Sequence, residues 1–151
     1  MNLNSAILKY HIINSLIFTD GEYSISRELK IKLIRYKFNF KKFVDEFNEA
    51  QSKYIEEVKT DEYNELISIP IEDRTKEQSD KLDKIVEDIN NIYYSLMNQK
   101  LSEEVNTDWY TPLNETEFDE LLTVNIEHNV NINGTEFNGT DFITLIHDNL
   151  L

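Results

Sequence analysis

From Ser26 to about Leu66 the chain runs for some forty residues without a proline or glycine, and this uninterrupted stretch constrains the fold more than any other feature. Within it Leu29, Leu33, Tyr36, Phe40, Phe43, Phe47, Ala50 and Tyr54 recur at steps of three or four. That spacing puts side chains on one stripe of a helix, and an apolar stripe needs something to cover it. The pattern predicts one continuous helix of roughly 60 Å, at 1.5 Å per residue.

A partner for the stripe is legible further on. Pro70 in Ser68-Ile69-Pro70 disfavours helical geometry at Ile69. Thr75-Lys76-Glu77-Gln78 then fits a capping box, Thr75 the cap and Gln78 reaching back. A second long helix follows to about Leu101, with Leu82, Ile85, Ile89, Tyr93 and Leu96 on one face. Two long helices on a short connection pack antiparallel. The bulky aromatics of the first stripe argue against a parallel dimeric coiled coil, whose seam prefers Ile, Val and Leu.

Residues 3 to 18 form a first helix, with Asn2 or Asn4 as N-cap and Leu3, Ile7, Tyr10, Ile13 and Ile17 on one face. It is expected to cover the groove between the two long helices. Asp20-Gly21 ends it, and Ser24 or Ser26 caps the next helix. After Leu101 the character changes, because Trp109, Tyr110 and Pro112 stand in an acidic, extended stretch. Asn114 caps a short helix to about Leu122, with Glu115 and Glu117 well placed against its dipole. Val124, Ile126, His128, Val130 and Ile132 then alternate with polar residues as in a half-buried strand, and Asn133-Gly134 is a hairpin signal. Thr140 is the expected cap of a last helix bearing Phe142, Ile146 and Leu150.

The expected fold is mainly α: a long antiparallel helical hairpin with the N-terminal helix as a three-helix bundle over residues 1–101. An acidic extension over residues 102–151, with short helices and a small β-hairpin, packs on it.

Charge is uneven. The net value is −14, yet residues 1–44 carry eight Lys/Arg against three Asp/Glu, and residues 101–151 carry eleven Asp/Glu and no Lys/Arg. The cations cluster between Arg27 and Lys42. A tail folded back onto this half would bring Glu103, Glu104 and Asp108 to it and neutralise both excesses. The field of so acidic a chain repels nucleic acid at long range, so no direct nucleic-acid contact is expected.

No site chemistry assembles from the residue types. The chain has no cysteine, its three histidines (His11, His128, His147) fall in different elements, and three glycines cannot make a phosphate-cradling loop. No carboxylate pair is marked by an apolar flank that would raise one pKa. The expectation is a non-enzyme with no catalytic, cofactor-binding or metal-ligating residue. No secretory signal and no apolar run of membrane-spanning length are seen, so the chain is expected to act inside a cell, away from the membrane. Trp109 and Tyr110 stand out, because aromatics on a polar segment serve as interface anchors. With Glu103, Glu104 and Asp108 they form the candidate partner-binding set, and pinning the tail to the helices is the competing role for both rings.

The start of the chain, the Phe40-Lys41-Lys42-Phe43 to Tyr54 segment, the second helix, and the acidic Ser102-Glu103-Glu104-Val105 stretch before Phe118-Asp119-Glu120-Leu121-Leu122 resemble small acidic helical-hairpin proteins of unknown function encoded by tailed bacteriophages. The likeness covers residues 3–122 and lies in helix order and charge. It implies a protein partner, phage structural or host, met in the host cytoplasm or the virion, and two kinds of work. One is virion assembly through apolar anchors; the other is an acidic decoy that imitates nucleic acid on a host enzyme. The resemblance supplies no site residues, and the sequence sets no oligomeric state.

Overall fold

The computed structural model describes residues 1–151. The fold is mainly α, with helices α1 (Leu3–Ser15), α2 (Arg27–Glu57), α3 (Asp61–Ser68), α4 (Lys76–Ser102), α5 (Glu115–Asn125) and α6 (Gly139–Leu150). Two antiparallel hairpins, β1 (Thr19–Asp20) with β2 (Tyr23–Ser24) and β3 (Val130–Ile132) with β4 (Thr135–Phe137), complete it. The chain forms two compact units: residues 1–44 with 104–151, and residues 45–103.

In the first unit the core-facing positions of α2, Leu29, Leu33, Tyr36 and Phe40, are buried as the spacing predicts. They share one core with Ile12 and Ile13 of α1, Leu121 and Val124 of α5, Ile132 of β3, and Phe142, Ile146 and Leu150 of α6. The residues after 103 are thus half of this core rather than an extension laid on a finished bundle. The first helix belongs here too, through Ala6, Ile12 and Ile13. Helices α5 and α6 cover the Leu29–Phe40 face of α2 together with it.

The second unit is a helical hairpin. The later half of α2, with α3, runs antiparallel to α4: Lys100 pairs with Glu46 at 2.7 Å, and Lys81 near the start of α4 pairs with Glu62 of α3. The expected single helix is broken here, because Thr60 turns extended and its hydroxyl accepts from the Tyr63 N–H at 3.1 Å. A threonine ahead of Asp61 and Glu62 is a good N-cap, and the two acids favour the new N-terminus. No proline or glycine was needed for the break. The capping box at Thr75 and Gln78 forms as expected.

Other boundaries shift for local reasons. Helix α1 stops at Ser15, and the residues that follow form the β1–β2 hairpin with Gly21 at φ +57° in its turn. The strand expected from Val124 does not start there. Val124 and Asn125 are the last turn of α5, and only Val130–Ile132 pair with β4. Asn133 and Gly134 both take positive φ, as a tight hairpin turn requires. The last helix is capped by Asn138, not Thr140, and Gly139 is its first residue.

Candidate functional site

Helix α2 buries one side and leaves the opposite side bare. At 3.6 residues per turn, the positions facing away from Leu29, Leu33, Tyr36 and Phe40 are Arg27, Ile31, Ile34, Phe38 and Lys42. Phe38 is 66 % exposed, and Ile31 and Ile34 flank it at 40 % and 37 %. Arg27, Lys30, Arg35, Lys41 and Lys42 line this ridge. Of the cations on this helix, Lys32 pairs with Glu117 at 2.8 Å and Lys30 sits 5.9 Å from the Phe18 ring. No ion pair holds Arg27, Arg35, Lys37 or Lys42.

Beside the ridge lies a cleft of about 370 Å³, lined by Ile31, Lys32, Arg35, Tyr36, Asn39 and Trp109 together with Glu28. Trp109 is held by a turn in which the Tyr110 N–H donates to the Thr107 carbonyl at 2.8 Å. Its ring packs edge-on to Phe40, centroids 4.7 Å apart, and stands 5.9 Å from Tyr36. Tyr110 lies against the same two rings at 5.4 and 5.0 Å, and its hydroxyl donates to the Leu150 carbonyl at 3.0 Å. Both aromatics therefore pin the C-terminal residues to α2. Trp109 does so while lining an open cleft; Tyr110 is turned toward the end of α6. Burial raises the Tyr110 pKa, with Tyr36 adding to the effect.

The acidic members of the expected set go elsewhere. Glu103 pairs with Lys100 at 2.7 Å, and Glu104 with the Met1 ammonium at 2.8 Å. Asp108 is exposed, its N–H accepted by the Asn106 side chain. None of the three reaches the basic half of α2. That contact is made by α5, where Glu117 meets Lys32 and Glu120 accepts the Ser26 N–H. The two acids lie three residues apart, on one face of a helix, and in the sequence they read as dipole and solvation residues. The ridge was also missed: Phe38 falls outside the aromatic stripe, and that exception was its signal.

The histidines remain apart. His128 Nε2 is 3.0 Å from the Ser15 carbonyl, His147 Nδ1 is 3.2 Å from Asp148, and burial lowers the pKa of His11. No helix is long and apolar enough to cross a membrane. No protein-family model, curated protein or solved structure matches this chain.

Proposed function

We propose that this chain is a non-enzymatic protein–protein interaction module, built as a structural or assembly component into a larger phage complex. The observation that carries this reading is Phe38, an exposed aromatic centred on a cation-lined ridge directly opposite the core. Monomeric proteins keep few large apolar groups together on their surface, and aromatic and arginine side chains dominate binding energy at interfaces. Ile31 and Arg35 belong to both the ridge and the Trp109 cleft, so one surface joins an apolar anchor, unpaired cations and a recess. The phage setting, in host cytoplasm or virion, rests on the resemblance in helix order and charge.

The test uses the immobilised chain in extracts of phage-infected and uninfected host, with Phe38→Asp and Arg35→Glu variants as controls. These positions are exposed, so both variants are expected to keep the fold, which circular dichroism checks. A phage protein held at fixed stoichiometry, retained in high salt and lost with Phe38→Asp, supports the assembly reading. Retention unchanged by either variant overturns it.

A second reading is favoured by the other unit. Residues 45–103 carry sixteen Asp/Glu against seven Lys/Arg, a carboxylate density that suits an acidic decoy for a basic groove on a host enzyme. Such binding weakens steeply with salt, because exposed charges are screened within about 8 Å at physiological ionic strength. Release of a nucleic-acid-processing host enzyme by salt, with no effect of Phe38→Asp, selects this reading.

A further inference from the structure

We propose that copies of this chain associate head to tail, the Phe38 ridge of one seating on the helical hairpin of the next. This rests on the interaction-module reading and deepens it by naming a second copy as the occupant of the ridge.

The receiving surface is a cleft of about 240 Å³ in the unit of residues 45–103, lined mainly by Ile55, Val58, Tyr63, Val86, Tyr93 and Tyr94. Tyr94 is 63 % exposed, Ile55 43 % and Val86 38 %. The Tyr93 and Tyr94 rings meet at 5.6 Å and 63°, so the cleft offers aromatic faces and edges to an incoming phenyl ring. The hairpin is also the thinner unit. The eleven largest fully buried side chains, from Leu3 to Leu150, all lie in the other one. Two helices with an open apolar cleft lack the further layer that usually covers such a face.

Charge decides which surface covers it. Asp83 and Glu87 are exposed beside Val86 and carry no ion pair, whereas Lys59, the one cation lining the cleft, is neutralised by Glu56, and Glu62 is matched by Lys81. The ridge has the opposite sign, with Arg27, Arg35 and Lys42 held by no ion pair. A two-fold contact of ridge on ridge would stack these cations on their own copies. Hairpin on hairpin would bring together two units that each hold nine more acidic than basic residues. Only ridge on hairpin alternates the sign, and it places the one strongly exposed phenylalanine against a mainly apolar cleft. A contact between two different surfaces does not close at a dimer; it propagates into rings or open chains.

Sedimentation velocity of the full chain over a concentration series tests this. The expected result is a mass that grows past dimer with concentration. Phe38→Lys and Tyr94→Lys alter exposed positions, and circular dichroism checks that each variant keeps its helices. Each is expected to weaken self-association at least about tenfold. Mixing the two variants should restore one dimer that grows no further, because Phe38→Lys keeps the cleft and Tyr94→Lys keeps the ridge. A wild-type chain monomeric at every concentration, self-association indifferent to both substitutions, or a mixture that stays monomeric overturns the proposal. These outcomes leave the extract binding of Phe38→Asp as the separate test of the interaction reading.

Discussion

The hydroxyl of Tyr36 donates to the Thr111 carbonyl at 2.8 Å and accepts from the same residue's N–H at 3.1 Å. One side chain on α2 thereby satisfies both backbone groups of the residue that follows Tyr110. The ring below it is buried against Phe40, Trp109 and Tyr110. Tyr36→Phe keeps this packing and removes both hydrogen bonds. Thr111 is partly open to water, so the cost is expected near the low end of an unmade pair, about 1 kcal/mol. In a chain of this size that lowers Tm by roughly 2–4 °C. Thermal melts of the two proteins check it.

Asn125 is the one fully buried polar side chain of the molecule. Its Oδ1 accepts the Ile17 N–H at 3.0 Å, and its Nδ2 donates to the Ile17 and Leu121 carbonyls at 3.1 and 3.0 Å. The amide thus replaces a backbone neighbour for a segment that belongs to no helix or strand. Asn125→Ala leaves the Ile17 N–H and carbonyl without these partners and opens a void, for an expected loss of about 2–4 kcal/mol. Urea unfolding measures it, and a loss under about 1 kcal/mol would mean that water replaces the amide.

Gly139 opens α6, where propensity alone favours alanine. A Cβ there would lie 1.9 Å from the Ile126 carbonyl oxygen and 2.7 Å from its carbon, atoms of rigid backbone at the end of α5. Gly139→Ala must push the two helices apart, and roughly 3 kcal/mol or more of destabilisation is expected. Gly21 makes the contrast: its φ is +57° and nothing lies within 4 Å of an added Cβ. Gly21→Ala should cost only about 1 kcal/mol, from conformation alone.

Much of this arrangement was legible in the sequence. The stripe of α2, the capping box at Thr75 and the turn at Asn133-Gly134 follow from local spacing and turn chemistry, which tertiary contacts reinforce. The failures share one cause. Asn125 alternates with apolar neighbours as a solvent-facing strand residue would, yet burial of its amide is decided by Ile17, more than a hundred residues away. Thr60 breaks α2 through a cap that competes with continued helix by only a small margin. Phe38 could be found by asking which apolar residue of α2 misses the stripe. Nothing local says that Trp109 both packs on Phe40 and borders a cleft, since that depends on where residues 104–113 meet α2.

Above pH 10 the fold should weaken, and Tyr110 is one reason. Burial raises its pKa above the usual 10, so the folded chain keeps this proton while the unfolded chain gives it up. Its contribution to stability is complete below pH 10 and is lost as pH climbs from there toward the folded-state value. Lys9 stands 5.1 Å from the Tyr110 ring, donates to the Asn149 carbonyl and has its pKa lowered by burial. It acts in the opposite sense, because its penalty for holding charge is relieved as pH rises toward 10.5. Tyr110→Phe should melt lower at neutral pH, having lost the bond to Leu150, but show a shallower decline above pH 10. An unchanged alkaline slope would exclude Tyr110 as its source.

Removal of residues 102–151 separates the two views of how the chain is divided. If residues 1–101 were a finished bundle, the truncated chain would keep its helices and its cooperative melt. The structure instead takes Leu113, Leu121, Val124, Ile132, Phe142, Ile146 and Leu150 out of the core that contains Leu29, Leu33 and Phe40. Each buried side chain of this kind contributes about 1.5–3 kcal/mol, and a domain's net stability is only about 5–15 kcal/mol. The first 44 residues are therefore expected to lose fixed structure. Their amides should exchange freely with solvent and the exposed apolar face of α2 should bind a hydrophobic dye, while residues 45–101 keep the contacts of their own unit. Protected amides in Leu3–Ser15 of the truncated chain would show that α1 has another partner and that the shared core is not what holds it.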